Sequence, residues 1–213
     1  MIDLNKLNPE QKQAVLTTEG PLLILAGAGS GKTRVLTYRA AYLLEKGVPP
    51  WAILAITFTN KAARELRERI NRLAGEAADD MWVMTFHALS ARILRRDIEK
   101  LGYKREFSIY DDDDQRTLIK RILKKLDISD KSYPPRAVKS VISDAKNHML
   151  SPEEWLKDNP DFRSKPYYRA YCEYEKELKE NNALDFDDLI LKTLELLTEH
   201  PPVLEVYRRK FSY

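Results

Sequence analysis

Cysteine is almost missing from this sequence: Cys172 is the only one in 213 residues. A lone cysteine excludes an internal disulfide and a cysteine-based zinc site. Histidine is scarce too. His87, His148 and His200 stand at no spacing that a metal site uses. No apolar run approaches the ~20 residues that a bilayer-spanning helix needs. Met1-Ile2-Asp3-Leu4-Asn5-Lys6 has no basic stretch followed by an apolar one, so no secretory leader is expected. The expectation is a cytoplasmic chain with no membrane partner. Glycine is confined to the first half: there are seven, and Gly102 is the last.

The composition is that of a globular chain with a heavily charged surface, 43% hydrophobic and 32% charged. A net charge of +3 is too mild to indicate nucleic acid by itself. The basic clusters at 92–96 and 120–125 read first as solvated helix faces. Over the first 110 residues, apolar runs predicted as strands at 22–26, 53–57 and 81–85 alternate with helical patterns at 31–44, 60–73 and 86–101. Asn60 is the expected cap of the second of these helices. A short helix opens the chain at Asn8-Pro9-Glu10-Gln11. Such alternation predicts an α/β fold, a parallel sheet with helices on both faces. Beyond residue 111 only helices are predicted, at 114–126, 135–147, from Ser151, and at 166–181, 186–199 and 202–210, with 211–213 a strand just begun. The expected organisation is an α/β domain over 1–110, an all-α inserted domain over 111–190 and a return segment over 191–213.

Between the first strand and its helix lies Ala26-Gly27-Ala28-Gly29-Ser30-Gly31-Lys32-Thr33. A strand, a glycine-rich turn, Gly-Lys-Thr and a helix form the P-loop pattern of nucleoside-triphosphate-binding proteins. Loop N–H groups would surround the phosphates, helped by the positive end of the helix. Lys32 would reach the outer phosphates, and the Thr33 hydroxyl would coordinate Mg²⁺. Ala26 replaces the first glycine of the strict pattern, which is acceptable if its φ is negative. A P-loop leaves the reaction open, because kinases, GTPases, transporters and motors all use one.

Other stretches narrow it. Leu7-Asn8-Pro9-Glu10-Gln11 precedes the loop, Ala55-Ile56-Thr57-Phe58-Thr59-Asn60 follows the second strand, and Thr85-Phe86-His87 follows the third. Leu184-Asp185-Phe186-Asp187-Asp188 comes late in the helical part. In this order they resemble the Q motif, motifs I, Ia and Ib, and a further motif of the superfamily 1 DNA helicases of the UvrD/PcrA/Rep type, whose motor domains are RecA-like P-loop folds. The resemblance spans nearly the whole chain. It implies an ATP-dependent, 3′–5′ translocase with ATP and Mg²⁺ as cofactors and single-stranded DNA and single-strand/duplex junctions as partners. It divides the chain into motor domain 1A, helical domain 1B and a return to 1A.

The resemblance also assigns roles. Gln11 would read adenine, and Arg34 would pack near the base. Without the resemblance Gln11 is a solvated residue on a first-turn helix face. Thr57, Phe58, Thr59 and Asn60, with Thr85, Phe86 and His87, would line the path of single-stranded DNA. An exposed phenylalanine at a strand's carboxyl end suits base stacking, although Phe58 could equally be core and His87 a structural hydrogen-bonding group. Lys146 would contact a phosphate. Asp111–Asp114 reads as a helix N-terminus. Asp185, Asp187 and Asp188 read as capping groups in preference to a two-metal site. Tyr167, Tyr168, Tyr171 and Tyr174 read as packing. The family's Walker B carboxylates, second motor domain and arginine fingers have no counterpart in these residues. The chain is therefore expected to be an N-terminal fragment that binds nucleotide without turning it over. The alternatives are the motor part of a RecB/AddA-type helicase-nuclease, a P-loop kinase, and a non-enzymatic binding module.

Overall fold

Side-chain caps decide where most of the helices start. In α1 (Pro9–Leu16) the Asn8 side chain accepts from the Gln11 N–H at 2.8 Å, and the Gln11 side chain accepts from the Asn8 N–H at 3.2 Å. The computed structural model describes residues 2–213, the side chains at 77 and 78 excepted. It separates into two units. One holds the chain through Ala88 together with Leu204–Tyr213, and the other holds Leu89–Val203.

The first unit carries α1, α2 (Lys32–Glu45), β1 (Leu54–Thr57), α3 (Asn60–Ala74), β2 (Trp82–Thr85) and the start of α4 (Phe86–Asp97). β1 and β2 pair in parallel, with Leu54 opposite Trp82 and Thr57 opposite Thr85. Along the other edge of β1, Leu54 N–H donates to the Tyr213 carbonyl at 2.8 Å, and Ser212 and Tyr213 donate to the Ala52 carbonyl at 3.1 and 3.2 Å. Residues 211–213 were expected to begin a strand; they form none, although these bonds tie them to the start of β1. Ile53, Ala55, Met81 and Val83 pack with Ala40 and Leu43 of α2 and with Leu66 and Ile70 of α3. Their alternate spacing puts them on one face of the pair. Trp82 belongs to the alternate set and packs edge-on against Phe211, with ring centroids 5.0 Å apart.

Two further expectations for this unit need correction. The apolar run at 22–26 is not a strand: residues 21–27 are irregular, and Leu23 and Leu25 are 80% and 87% exposed. A strand needs a ladder partner. Among the described residues no strand pairs with the run, so its backbone groups have no ladder. The cap of α3 is Thr59, not Asn60: Thr59 keeps an extended backbone and its Oγ1 accepts from the Ala62 N–H at 3.1 Å, while Asn60 is already helical.

The second unit holds β3 (Ser108–Tyr110), α5 (Asp112–Lys125), α6 (Pro135–Asn147), α7 (Pro152–Asp158), α8 (Ser164–Glu180), β4 (Ala183–Asp185) and α9 (Phe186–Glu199), and α10 (Pro201–Lys210) begins in it. It is not all-α. β3 and β4 pair in parallel, with Ser108 opposite Ala183 and Tyr110 opposite Asp185. These strands have three residues each, too few for a period-2 pattern to stand out. The core joins Leu118 and Ile122 of α5, Val138 and Ile142 of α6, Trp155 of α7, and Tyr171, Tyr174 and Leu178 of α8. Tyr167 sits edge-on to Tyr133 and to Trp155, so these tyrosines are packing groups as expected. Asp111 caps α5 and Ser151 caps α7, each in a reciprocal box with the residue three further on. The architecture is mixed α/β, with small parallel strand pairs among many helices.

Candidate functional site

The loop from Ala26 to Gly31 is held by its own groups. Ser30 Oγ donates to the Gly27 carbonyl at 2.7 Å, and the Gln11 side-chain amide donates to the Ser30 carbonyl at 2.9 Å. Gly29 and Gly31 have φ of +77° and +88°, the left-handed region that favours glycine. Ala26 is not among the described residues with positive φ, so alanine fits its place in the loop. No side chain caps the N-terminus of α2. A helix start of this kind offers its first N–H groups and its dipole to an anion. Lys32 Nζ lies over the loop, donating to the carbonyls of Ala26 and Gly27 at 2.8 and 2.7 Å. Thr33 is exposed beside it. The Arg34 guanidinium lies 5.7 Å from the centre of the Tyr38 ring. Loop, Lys32, Thr33, Gln11 and Arg34 therefore meet in one place.

At the carboxyl ends of β1 and β2 stand two aromatic side chains. Phe58 is 90% exposed and Phe86 44% exposed, and their rings are tilted against each other with centroids 5.9 Å apart. Phe58 is therefore not core. Thr57 Oγ1 donates to the Thr59 carbonyl at 3.1 Å, which shapes the turn, and Thr85 Oγ1 caps α4 by accepting from the Ala88 N–H at 3.2 Å. Asn60 and His87 are exposed on the same stretches.

Lys146 departs from its expected role. It is 2% exposed, and its Nζ donates to Asp185 Oδ2 and Asp188 Oδ1, both at 2.8 Å. Glu175 Oε1 is also 2.8 Å away but outside hydrogen-bonding alignment, a Coulombic contact. Tyr174 donates to Asp185 Oδ2 at 3.0 Å. Three carboxylates surround the ammonium, so it has neither room nor net attraction for a phosphate, and it is removed from the DNA-contact set. Burial disfavours the Lys146 charge, but the surrounding carboxylates outweigh it and raise its pKa well above the ordinary value. Burial pushes Asp188 up to about 7 against the pull of Lys146. Asp185 ends below the usual carboxylate range, because Lys146 and its hydrogen bonds outweigh burial. Asp185 and Asp188 also cap α9 reciprocally, and Asp187 accepts from Ser143 Oγ at 2.7 Å. These aspartates are capping and anchoring groups. Among the described residues no group of three or more His, Cys, Asp or Glu could hold a metal ion.

The profile of the family described as UvrD/REP helicase N-terminal domain matches residues 7–213. The chain belongs to this family. It is 53% identical over 211 residues to the ATP-dependent DNA helicase PcrA of Bacillus subtilis (strain 168), and 51% identical over 211 residues to the PcrA proteins of Staphylococcus aureus and Staphylococcus epidermidis. Each alignment covers 99% of this chain but 29% of the relative. The family match runs through both units, so the buried Lys146 network lies within the matched region just as the loop does. The members of the network sit on α6, α8, β4 and α9, far apart in the chain, so little in the local sequence marks it. The one local signal was the capping spacing of Asp185 and Asp188. No helix among the described residues is long and apolar enough to cross a membrane.

Proposed function

We propose that the chain is the N-terminal motor segment of an ATP-dependent DNA helicase that moves 3′ to 5′ on single-stranded DNA and acts at single-strand/duplex junctions in the cytoplasm. In this reading 1–110 belong to motor domain 1A, 111–190 to helical domain 1B and 191–213 to the return into 1A. The observation that carries it is the joint presence, in one unit, of an uncapped P-loop helix and an exposed aromatic pair at the ends of neighbouring parallel strands. A small-molecule kinase has no use for such a pair.

Lys32 exchanges its two loop carbonyls for the outer phosphate oxygens of ATP, and the start of α2 adds its N–H groups. The Thr33 hydroxyl would hold Mg²⁺. One protein hydroxyl suits an ion that keeps several waters and takes its other ligands from phosphates. When bound, the ion neutralises phosphate charge. Gln11 and Arg34 meet the adenine. Phe58 and Phe86 stack against bases, while Thr57, Thr59, Asn60, Thr85 and His87 hold the sugar–phosphate path. The loop supplies a cation and a hydroxyl for binding, and in this reading the 213 residues alone bind nucleotide with negligible turnover.

Fluorescence anisotropy with a labelled single strand tests the reading: the chain binds it and Phe58→Ala weakens it, whereas absence of any affinity sinks it. Unwinding of 3′-tailed but not 5′-tailed duplexes by the full-length protein tests the polarity. DNA-stimulated hydrolysis by the 213 residues, lost on Lys32→Ala, would overturn the claim of inactivity.

A further inference from the structure

Helix α1 is eight residues long. Isolated helices below ~12–15 residues are marginal in water. Val15 is buried on its inner face, in a small cluster with Leu7 and with Val35 and Tyr38 of α2. The last turn of α1 carries no basic residue to meet the helix's unpaired carbonyls. That charge comes from α2. Arg39 Nη1 donates to the Ala14 carbonyl at 2.9 Å and to the Thr17 carbonyl, and its Nη2 donates to the Thr18 carbonyl at 3.2 Å. At the other end of α1, Gln11 reaches the Ser30 carbonyl of the loop at 2.9 Å. The short helix is therefore tied at both ends to the segment that starts with the loop and continues as α2.

We propose that Arg39 is a positioning residue for base selection: by fixing α1 on α2 it sets where the Gln11 amide stands relative to the phosphate loop. The proposal rests on the reading of Gln11 as the group that meets the base. Lys32 and Arg39 lie on the same helix, two turns apart, so one rigid element grips the phosphates and the base-reading helix together. Arginine suits the task, since its planar fork spreads donors over three carbonyls where lysine offers a compact point charge. A residue that only stabilised the fold would weaken all ligands of the loop alike. A positioning residue weakens discrimination between bases and leaves phosphate binding intact.

The experiment is calorimetric titration of the full-length protein with ATP, GTP and inorganic tripolyphosphate in the presence of Mg²⁺, for the parent, Arg39→Ala, Arg39→Lys and Gln11→Ala. The expected result is that Arg39→Ala lowers the ATP-over-GTP preference about tenfold, as Gln11→Ala does, with tripolyphosphate affinity held within about twofold. Arg39→Lys, which keeps one charge, recovers part of the preference and serves if the alanine variant fails to fold. Equal weakening of all three ligands, or an unchanged preference in both Arg39 variants while Gln11→Ala loses it, overturns the role of Arg39. An unchanged preference in Gln11→Ala overturns the base-reading premise itself and the proposal with it.

Discussion

Two lysines of this chain live in opposite surroundings. Lys32 is exposed and rests on the neutral carbonyls of Ala26 and Gly27, whereas Lys146 is buried among Asp185, Asp188 and Glu175. A cation on neutral, exposed carbonyls can exchange them for a stronger anion at little cost. A cation that neutralises buried carboxylates cannot leave without exposing their charge in a poorly solvating interior. One lysine is available for chemistry and the other is structural, and the difference is made by their partners.

The largest effect separates them by stability. Lys146→Met should cost about 3–5 kcal/mol, because it leaves Asp185 and Asp188 uncompensated. Lys32→Met should stay within about 0.5 kcal/mol, as exposed substitutions usually do. Urea unfolding of both variants measures this, and comparable losses would erase the distinction.

The pH dependence sharpens it next. Asp188 titrates at about 7 in the folded chain, well above an ordinary aspartate. The folded state therefore holds a proton that the unfolded chain releases, and this contribution is lost as pH rises through about 7. Asp185 acts the other way: its contribution is lost only as pH falls below the ordinary aspartate range. The second unit should thus unfold at higher urea at about pH 5.5 than at about pH 8. Asp188→Asn should flatten that slope, and a slope unchanged by the substitution would place the proton elsewhere.

The same contrast governs what could be read from the sequence. The loop was legible because its features are local: Gly31, Lys32 and Thr33 are adjacent, and the left-handed glycine and the uncapped helix start are properties of that short stretch. Caps were legible for the same reason, to within one residue at Thr59 and Asn60. Lys146 was not, because its partners come from elements distant in the chain and nothing local tells which way a lysine in α6 points. The pairing of β3 with β4 escaped for the same reason. The run at 22–26 failed in the opposite direction: its composition describes a segment suited to a ladder, and a ladder needs a neighbour that composition does not name.

On the open face the effects are smaller and fall on ligands. Phe58 is almost wholly exposed, so Phe58→Ala should leave the urea midpoint unchanged. It should weaken single-stranded DNA by about 1–3 kcal/mol, the range found for base–aromatic stacking. Anisotropy against a fixed oligonucleotide reads this. Loss of stability instead would return Phe58 to the core.

The smallest effect distinguishes two glycines of the loop. Gly29 and Gly31 both have left-handed backbones, where a non-glycine residue costs about 1–2 kcal/mol. Their surroundings differ. A Cβ at Gly29 meets nothing within 4 Å, whereas one at Gly31 would come within 2.8 Å of the Gln11 amide nitrogen. Gly29→Ala should therefore strain the loop alone and weaken ATP and tripolyphosphate to the same extent. Gly31→Ala must also push the Gln11 side chain aside, because 2.8 Å is closer than a methyl group tolerates. That side chain is flexible at its end, so the added cost is small, but it falls on the base and not on the phosphates. Binding of ATP and of tripolyphosphate to the two variants checks this, with an ATP-specific loss expected in Gly31→Ala only. Identical profiles would mean that the contact between Gln11 and the loop has no bearing on the nucleotide.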